Sequence, residues 1–420
     1  MRVILLECKK ALLSPIILGL LLLFTAWNIF IIYNASHFKE ELAIVNELAG
    51  KYGEEYTEDS LALLGEEIKT ELVQLNAITE KTASQTFVSA LDFFDQLTFK
   101  EQEKYMEEEL NTFYEIALKE MYMSTAASMD ESYAGFDIQK IGEDEIAQFG
   151  LTGSAAETLR KEYRDFEDRF VALQQNGEHR QWFFSGQNYH MHSLLFGTVF
   201  RHLVIEGIIL VVLATALITN FEFEQRTQLV AYATKRGRTL MADKLVASLL
   251  TTMALTIFLS VVTLGTYFTI FDYAHLWKTA ISSGFNWEAN FPYVSWWNWS
   301  LLTYFLMSMA LFFLCMLLFS LFTFSISVLV KNNYFTFILF AILFIVLYLV
   351  PGFIPNSTNL MLMAGYTLSS LVLNPLQWWM GTGGLTIFKN YEWMTITVWT
   401  IILIALCRFS YRRFARQDIS

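Results

Sequence analysis

Apolar positions in this chain collect into six long runs instead of alternating with polar ones. The first lies in residues 15–33 and contains "IILGLLLLFTAWNIFIIY"; the others occupy 201–219, 246–271, 300–330, 334–351 and 393–408. Runs of this kind predict membrane-crossing helices, because about 20 residues at 1.5 Å rise span a ~30 Å hydrocarbon core. Leu301–Val330 would reach about 45 Å as one helix, so it is expected to tilt or to project past the apolar layer. Residues 331–333 alone separate the fourth run from the fifth, which predicts a tight turn.

A different period governs residues 34–200. In "LRKEYRDFEDRFVAL", Leu159, Tyr163, Phe166, Phe170 and Leu173 recur at steps of four and three, which places them on one face of a helix. Leu61, Leu64, Ile68, Leu72 and Leu75 repeat the pattern. No proline falls between Tyr52 and Thr152, strand-like alternation is weak, and "DESYAGFDIQ" is expected to be less regular. Ahead of the first run, residues 1–14 set apolar side chains on one side and Lys9 and Lys10 on the other, and Pro15 follows; this predicts an interfacial helix bending into the first span. A cleaved signal peptide competes for the same residues, but Ile16–Tyr33 has span length and no small-residue cleavage site. The expected fold is an all-α polytopic membrane protein: six transmembrane helices, an N-terminal interfacial helix, and a mainly helical extracytoplasmic domain inserted between helices 1 and 2.

Composition agrees with a bilayer as solvent. The chain is 54% hydrophobic and 17% charged, with 37 Phe and 11 Trp, more apolar surface than a water-soluble core can hide. Its net charge of −12 conceals a split: residues 34–200 carry 32 acidic and 13 basic side chains, while the remainder is basic. With the N-terminus inside, the inner segments hold 13 Lys and Arg, and the short outer loops 272–299 and 352–392 hold only Lys278 and Lys389. That asymmetry predicts cytoplasmic termini, an outer acidic domain and a multi-pass protein of a bacterial plasma membrane. An anionic surface repels phosphates, so nucleic acid is not expected as a partner. Cys8, Cys315 and Cys407 all lie outside the acidic domain, which must therefore be stabilised without a disulfide.

Catalytic signatures are missing. The sequence has no G-x-x-x-x-G-K-[ST] phosphate loop, H-E-x-x-H, C-x-x-C or G-x-S-x-G, so no enzymatic activity and no bound cofactor are expected of this chain. "NYHMHS" offers His190 and His192 as a weak metal pair, with His179 and His202 as helpers, but polar residues where the outer domain rejoins the membrane explain them as well. Glu206 is an acidic residue inside a predicted span; it fits either a structural place near the interface or a substrate path. Trp296, Trp297 and Trp299, then Trp378 and Trp379, fit an interfacial aromatic belt, with contact to an amphiphilic substrate as the alternative for the last two.

The remaining anomaly is "EFEQRTQLVAYATKRGRTLMADK", a charged island between the second and third runs, within the inner segment 220–245. An amphipathic stretch lying on the cytoplasmic face would look similar. Its order is nevertheless specific: Glu222 and Glu224, then Arg226, Thr227, Leu229, Val230 and Tyr232, then Arg236, Arg238 and Lys244. This resembles the cytoplasmic loop of ABC-2 type transporter permeases, where a glutamate leads into a Gly-Thr pair, an apolar helical run, a Pro-x-x-Arg turn and a lysine six residues beyond that arginine. Thr227, the eleven-residue step to Arg238 and the six-residue step to Lys244 match; Arg226 stands in place of the glycine and Lys235 in place of the proline.

The resemblance implies an exporter subunit with a large outer domain, a second permease subunit, and a separate P-loop ATPase that carries ATP and Mg. In that arrangement Arg226, Arg236 and Arg238 would pair with acidic residues of the ATPase, and Leu229, Val230 and Tyr232 would fill its groove. The substrate implied is amphiphilic or peptide-like: an antimicrobial peptide, a drug or a lipid. The rival reading is a membrane immunity or sensor protein that binds a peptide or partner through its acidic domain.

Overall fold

In the computed structural model, which describes residues 2–184, 192–233, 237, 239–286, 293–381 and 383–416, the chain is almost wholly helical. Three isolated bridges are the only β-pairing among the described residues. Among the described residues six helical segments are long and apolar enough to cross a membrane: Pro15–Asn34, Ser193–Glu224, Leu240–Ile270, Leu301–Val330, Asn333–Phe353 and Tyr391–Arg416.

Helix α1 (Arg2–Leu12) turns at Ser14 into α2 (Pro15–Asn34), whose first residue is the proline that helices tolerate only there. On α1 the buried face carries Glu7, Cys8 and Ala11, while Leu5 and Leu6 are exposed. Leu5 and Leu6 thus face away from the protein, while Ile4 and Leu12 pack against its core. The polar domain follows as α3 (Lys39–Tyr52), α4 (Glu58–Ala83), α5 (Ala90–Gln96), α6 (Phe99–Gln102), α7 (Glu107–Ala134), α8 (Ile138–Gln148) and α9 (Gly153–Gln175). Thr57 caps α4 by accepting from the Ser60 N–H. The predicted irregular stretch is the break between α7 and α8, where Asp137 caps the new helix. Leu159, Tyr163, Phe166, Phe170 and Leu173 are all buried, as their spacing requires, and so are Leu64, Ile68 and Leu75. Gly142 lets α8 lie against α9, since a Cβ there would sit 2.6 Å from the Tyr163 ring.

A π-helical turn at Ser193–Val199 continues into α10 (Phe200–Glu224), the central helix of the bundle. Leu210, Val211, Val212, Ala214, Thr215 and Ala216 are all buried, so α10 is covered on most of its surface, and the stripe through Ile205, Ile209 and Leu213 is left partly open. Around it stand α2, α12 (Leu240–Ile270), α13 (Leu301–Val330) and α14 (Asn333–Leu349), while α17 (Tyr391–Arg416) packs against α13, and the six-residue α11 (Gln228–Ala233) lies in the loop between α10 and α12. The Thr215 and Ser320 hydroxyls, 3.0 Å apart, join α10 to α13. Lys331, in the left-handed conformation, ends α13, and the Asn332 side chain caps α14 by accepting from Phe335 N–H. Between α14 and α17 the chain forms two short helices, α15 (Asn359–Ala364) and α16 (Leu368–Leu373).

Several predicted bounds shift, all in one direction. The second span begins at Ser193 and reaches Glu224, the third begins at Leu240, and the sixth covers Tyr391–Arg416. Hydropathy registers only the apolar middle of a helix, whereas backbone hydrogen bonding continues through its polar ends. The charged loop is accordingly 225–239 and not 220–245.

The polar domain sits on the loops at one end of the bundle. Arg169 of α9 makes a two-pronged ion pair with Glu178, at 2.9 and 2.6 Å, and donates its Nε–H to Ser295 O. Tyr56, Tyr122 of α7, Trp182 and Phe285 pack into one aromatic knot. Domain and bundle therefore share a continuous apolar core.

Candidate functional site: a buried ion network and a cavity at opposite ends

At the end of the bundle away from the polar domain, α10 runs on to Glu224. Arg226 then takes a left-handed conformation (φ +54°), and the Thr227 N–H donates to Glu222 O at 2.8 Å, reversing the chain into α11. Leu229 and Val230 point outward, 54% and 76% exposed. Tyr232 does not join them, contrary to the groove-filling role expected of it. It is buried against Phe223 and Phe414, and its hydroxyl lies 3.4 Å from Glu222. Gly237 packs so tightly over Tyr232 that a Cβ would sit 2.5 Å from its backbone, so only glycine fits. Arg236 and Arg238 lie outside the described residues.

Beneath this loop, four charges from three helices form one network. Lys244 of α12 is fully buried and ion-pairs with Glu222 of α10. It also donates to Ile218 O and Thr219 O, which satisfies the three N–H groups of its ammonium. Glu7 of α1 lies 3.7 Å from Lys244, and Lys10 joins Glu7 and Glu222 at 2.7 and 2.9 Å. Burial alone would lower the Lys10 pKa; its two carboxylate partners outweigh that and raise it above 10.5. Two positive and two negative charges cancel, the condition under which burial of this kind is tolerated. Glu224 instead faces outward and accepts the Asn333 backbone N–H at 3.0 Å, linking the loop to the start of α14.

At the opposite end, a cavity of about 800 Å³ opens between the polar domain and the 352–392 segment. Phe149, Leu159 and Tyr163 form its domain wall, and Met361, Leu371 and Trp378 form the other. Two charged groups line it. Arg201 is exposed, and Glu145 is half-buried, its pKa raised by burial although the Gly384 N–H hydrogen-bonds to it.

Neither Trp378 nor Trp379 belongs to an interfacial belt: they are 1% and 2% exposed, held inside by the folded loop. Trp378 donates its indole N–H to Leu371 O at 2.7 Å, and the Trp379 backbone N–H donates to Glu392 at 2.7 Å. Trp378 reaches the cavity wall; Trp379 packs on Trp299 and Trp393.

Glu206 is buried between three helices, accepting from Asn28 of α2 at 2.7 Å, and Asn28 also donates to Thr263 of α12. The histidines are scattered. His179 pairs with Asp130, His192 meets Leu376 O amid Phe196 and Tyr293, and His202 stands edge-on to Trp27. Among the described residues no three His, Cys, Asp or Glu side chains gather as metal ligands, and His190 lies outside them.

Reasoning from sequence missed Glu7, Lys10 and Glu392. A legible signal existed for Glu7, an acidic residue next to the apolar run of a short basic helix, where a carboxylate needs a buried partner. For Glu392 the preceding stretch "LNPLQWWMGTGG", with a proline and three glycines, hid the helix start.

The fold is thus that of an all-helical protein with six potential spans, consistent with a multi-pass membrane protein, carrying an ion network at one end and a cavity at the other. Compared with known proteins, the chain matches no family model, no curated protein and no solved structure.

Proposed function

We propose that this chain is the permease subunit of an ATP-driven ABC exporter, lying in a bacterial plasma membrane with cytoplasmic termini and its acidic domain outside. The observation that carries this reading is the 225–239 loop: a short helix offering two bare apolar side chains, Leu229 and Val230, above an ion network of two lysines and two glutamates whose charges cancel. A loop meant only to turn the chain has no need to be clamped to three helices. One meant to receive a push must not yield under it. Glu222 and Lys244 join the two helices that flank it, Tyr232 and Gly237 hold its middle, and Lys10 ties that pair to α1. A separate P-loop ATPase docks on Leu229 and Val230, with the exposed Arg226 at the rim to pair with its carboxylates.

A second permease copy completes the pathway, and amphiphilic or peptide-like substrate leaves through the cavity beneath the acidic domain. α1, with Leu5 and Leu6 bare, lies in the membrane interface. Purification from native membranes tests the reading: an ATPase carrying G-x-x-x-x-G-K-[ST] is expected in about equal amount. Leu229→Glu combined with Val230→Glu is expected to release it while the permease stays folded. Recovery of the wild-type chain without any ATPase would overturn the proposal in favour of a non-transporting immunity or sensor protein.

A further inference from the structure

On the flank of the bundle, α2 and α10 part to leave an open cleft of about 340 Å³, separate in its lining from the cavity under the polar domain. Leu23, Phe24, Ile205 and Ile209 make its sides apolar, and Trp27, His202 and Glu206 bring polar and aromatic character to it. Glu206 is only 4% exposed. Among the described residues a single hydrogen bond reaches it, from Asn28, whose amide also serves Thr263, and no cation stands within ion-pair distance. The contrast with Glu222 is direct, since that carboxylate has two lysines. A carboxylate placed among apolar side chains is costly unless a positive group arrives to pair with it. Trp27, 49% exposed, adds a ring beside the same opening, and an indole face attracts cations.

We infer that the cleft between α2 and α10 binds the cationic head of an amphiphile, the ammonium meeting Glu206 and Trp27 and the alkyl tail running along Leu23 and Ile209. An apolar seam filled by lipid tails would need no carboxylate at its base; the charge selects the occupant. As a substrate site this rests on the permease reading; as a binding site it needs neither ATP nor a partner.

The test is calorimetric titration of the full chain in nanodiscs of zwitterionic lipid, with empty discs subtracted. Dodecyltrimethylammonium is compared with the uncharged dodecyldimethylphosphine oxide. Saturable binding of the ammonium probe alone is expected. Glu206→Gln should weaken it by at least about tenfold, and Trp27→Leu by about three- to tenfold, the range of one cation–π contact. Thermal unfolding of each variant checks that it is folded. Should Glu206→Gln unfold, Trp27→Leu, at a half-exposed site, still decides between loss and no loss. Equal binding of both probes, or wild-type affinity in the folded variants, overturns the inference. Loss of the ATPase from the preparation would leave this binding intact, so failure of the functional reading and failure of the site are distinguishable.

Discussion

Among the described residues two lysines, Lys119 and Lys244, are buried among carboxylates, and their surroundings give them different roles. Lys119, on α7 of the polar domain, reaches Glu71, Glu67 and Glu47 at 2.7, 3.1 and 3.8 Å. Those carboxylates are 27%, 19% and 49% exposed, so water shares in solvating them. Lys244 meets Glu222 and Glu7, which are 7% and 5% exposed. There the protein alone must balance the charge. The first network braces helices inside one domain and tolerates loss of a member. The second joins α1, α10 and α12 and meets solvent through Lys10 alone, whose side chain is 24% exposed, so Lys244 and its carboxylates depend on one another.

The largest effect is therefore expected at Lys244. Lys244→Ala leaves two buried carboxylates against one lysine and should destabilise the chain by about 3–5 kcal/mol. Thermal unfolding in detergent reads this, and adding Glu222→Gln should recover part of the loss. Lys119→Ala should cost less, about 1–3 kcal/mol, because its partners regain water. Equal losses at the two sites would erase the distinction drawn above.

Acid sharpens the same contrast. Burial would raise the Glu67 pKa, but hydrogen bonds from Lys51, Tyr52 and Lys119 outweigh it and hold the carboxyl at about 2, below its ordinary 4.5. A carboxylate depressed on folding contributes stability above its unfolded pKa and loses it as pH falls toward its folded one. The polar domain should thus lose stability between about pH 4.5 and 2, and Glu67→Gln should flatten that dependence when unfolding is followed across the window. Smallest in stability, within about 0.5 kcal/mol, are Leu229→Ser and Val230→Ser at the exposed loop; there the expected loss is ATPase capture and coupled ATP hydrolysis.

Much of the architecture was legible because it is local. Phe166 and Phe170 announce a buried stripe through spacing alone, and the purity of Leu301–Val330 leaves no conformation but a long helix. Helix ends were less legible, since Asp243 and Lys244 read as loop polarity although α12 already includes them. The candidate site was legible as a segment and not as an arrangement. Glu222, Tyr232 and Lys244 look like equals of Leu229 and Val230 in the sequence, yet the first three turn inward. Trp378 and Trp379 mislead similarly, because tryptophan at the end of an apolar run marks an interface only if no loop folds over it.

By itself, then, the sequence determined six apolar helices, a polar helical insert with its buried stripes, and a charged loop of unusual order. These follow from periodicity and composition, which act over a few turns of chain. Only the tertiary structure decided which charges of that loop meet partners, because Lys10 and Glu222 stand 212 positions apart and no local pattern reports a contact of that range.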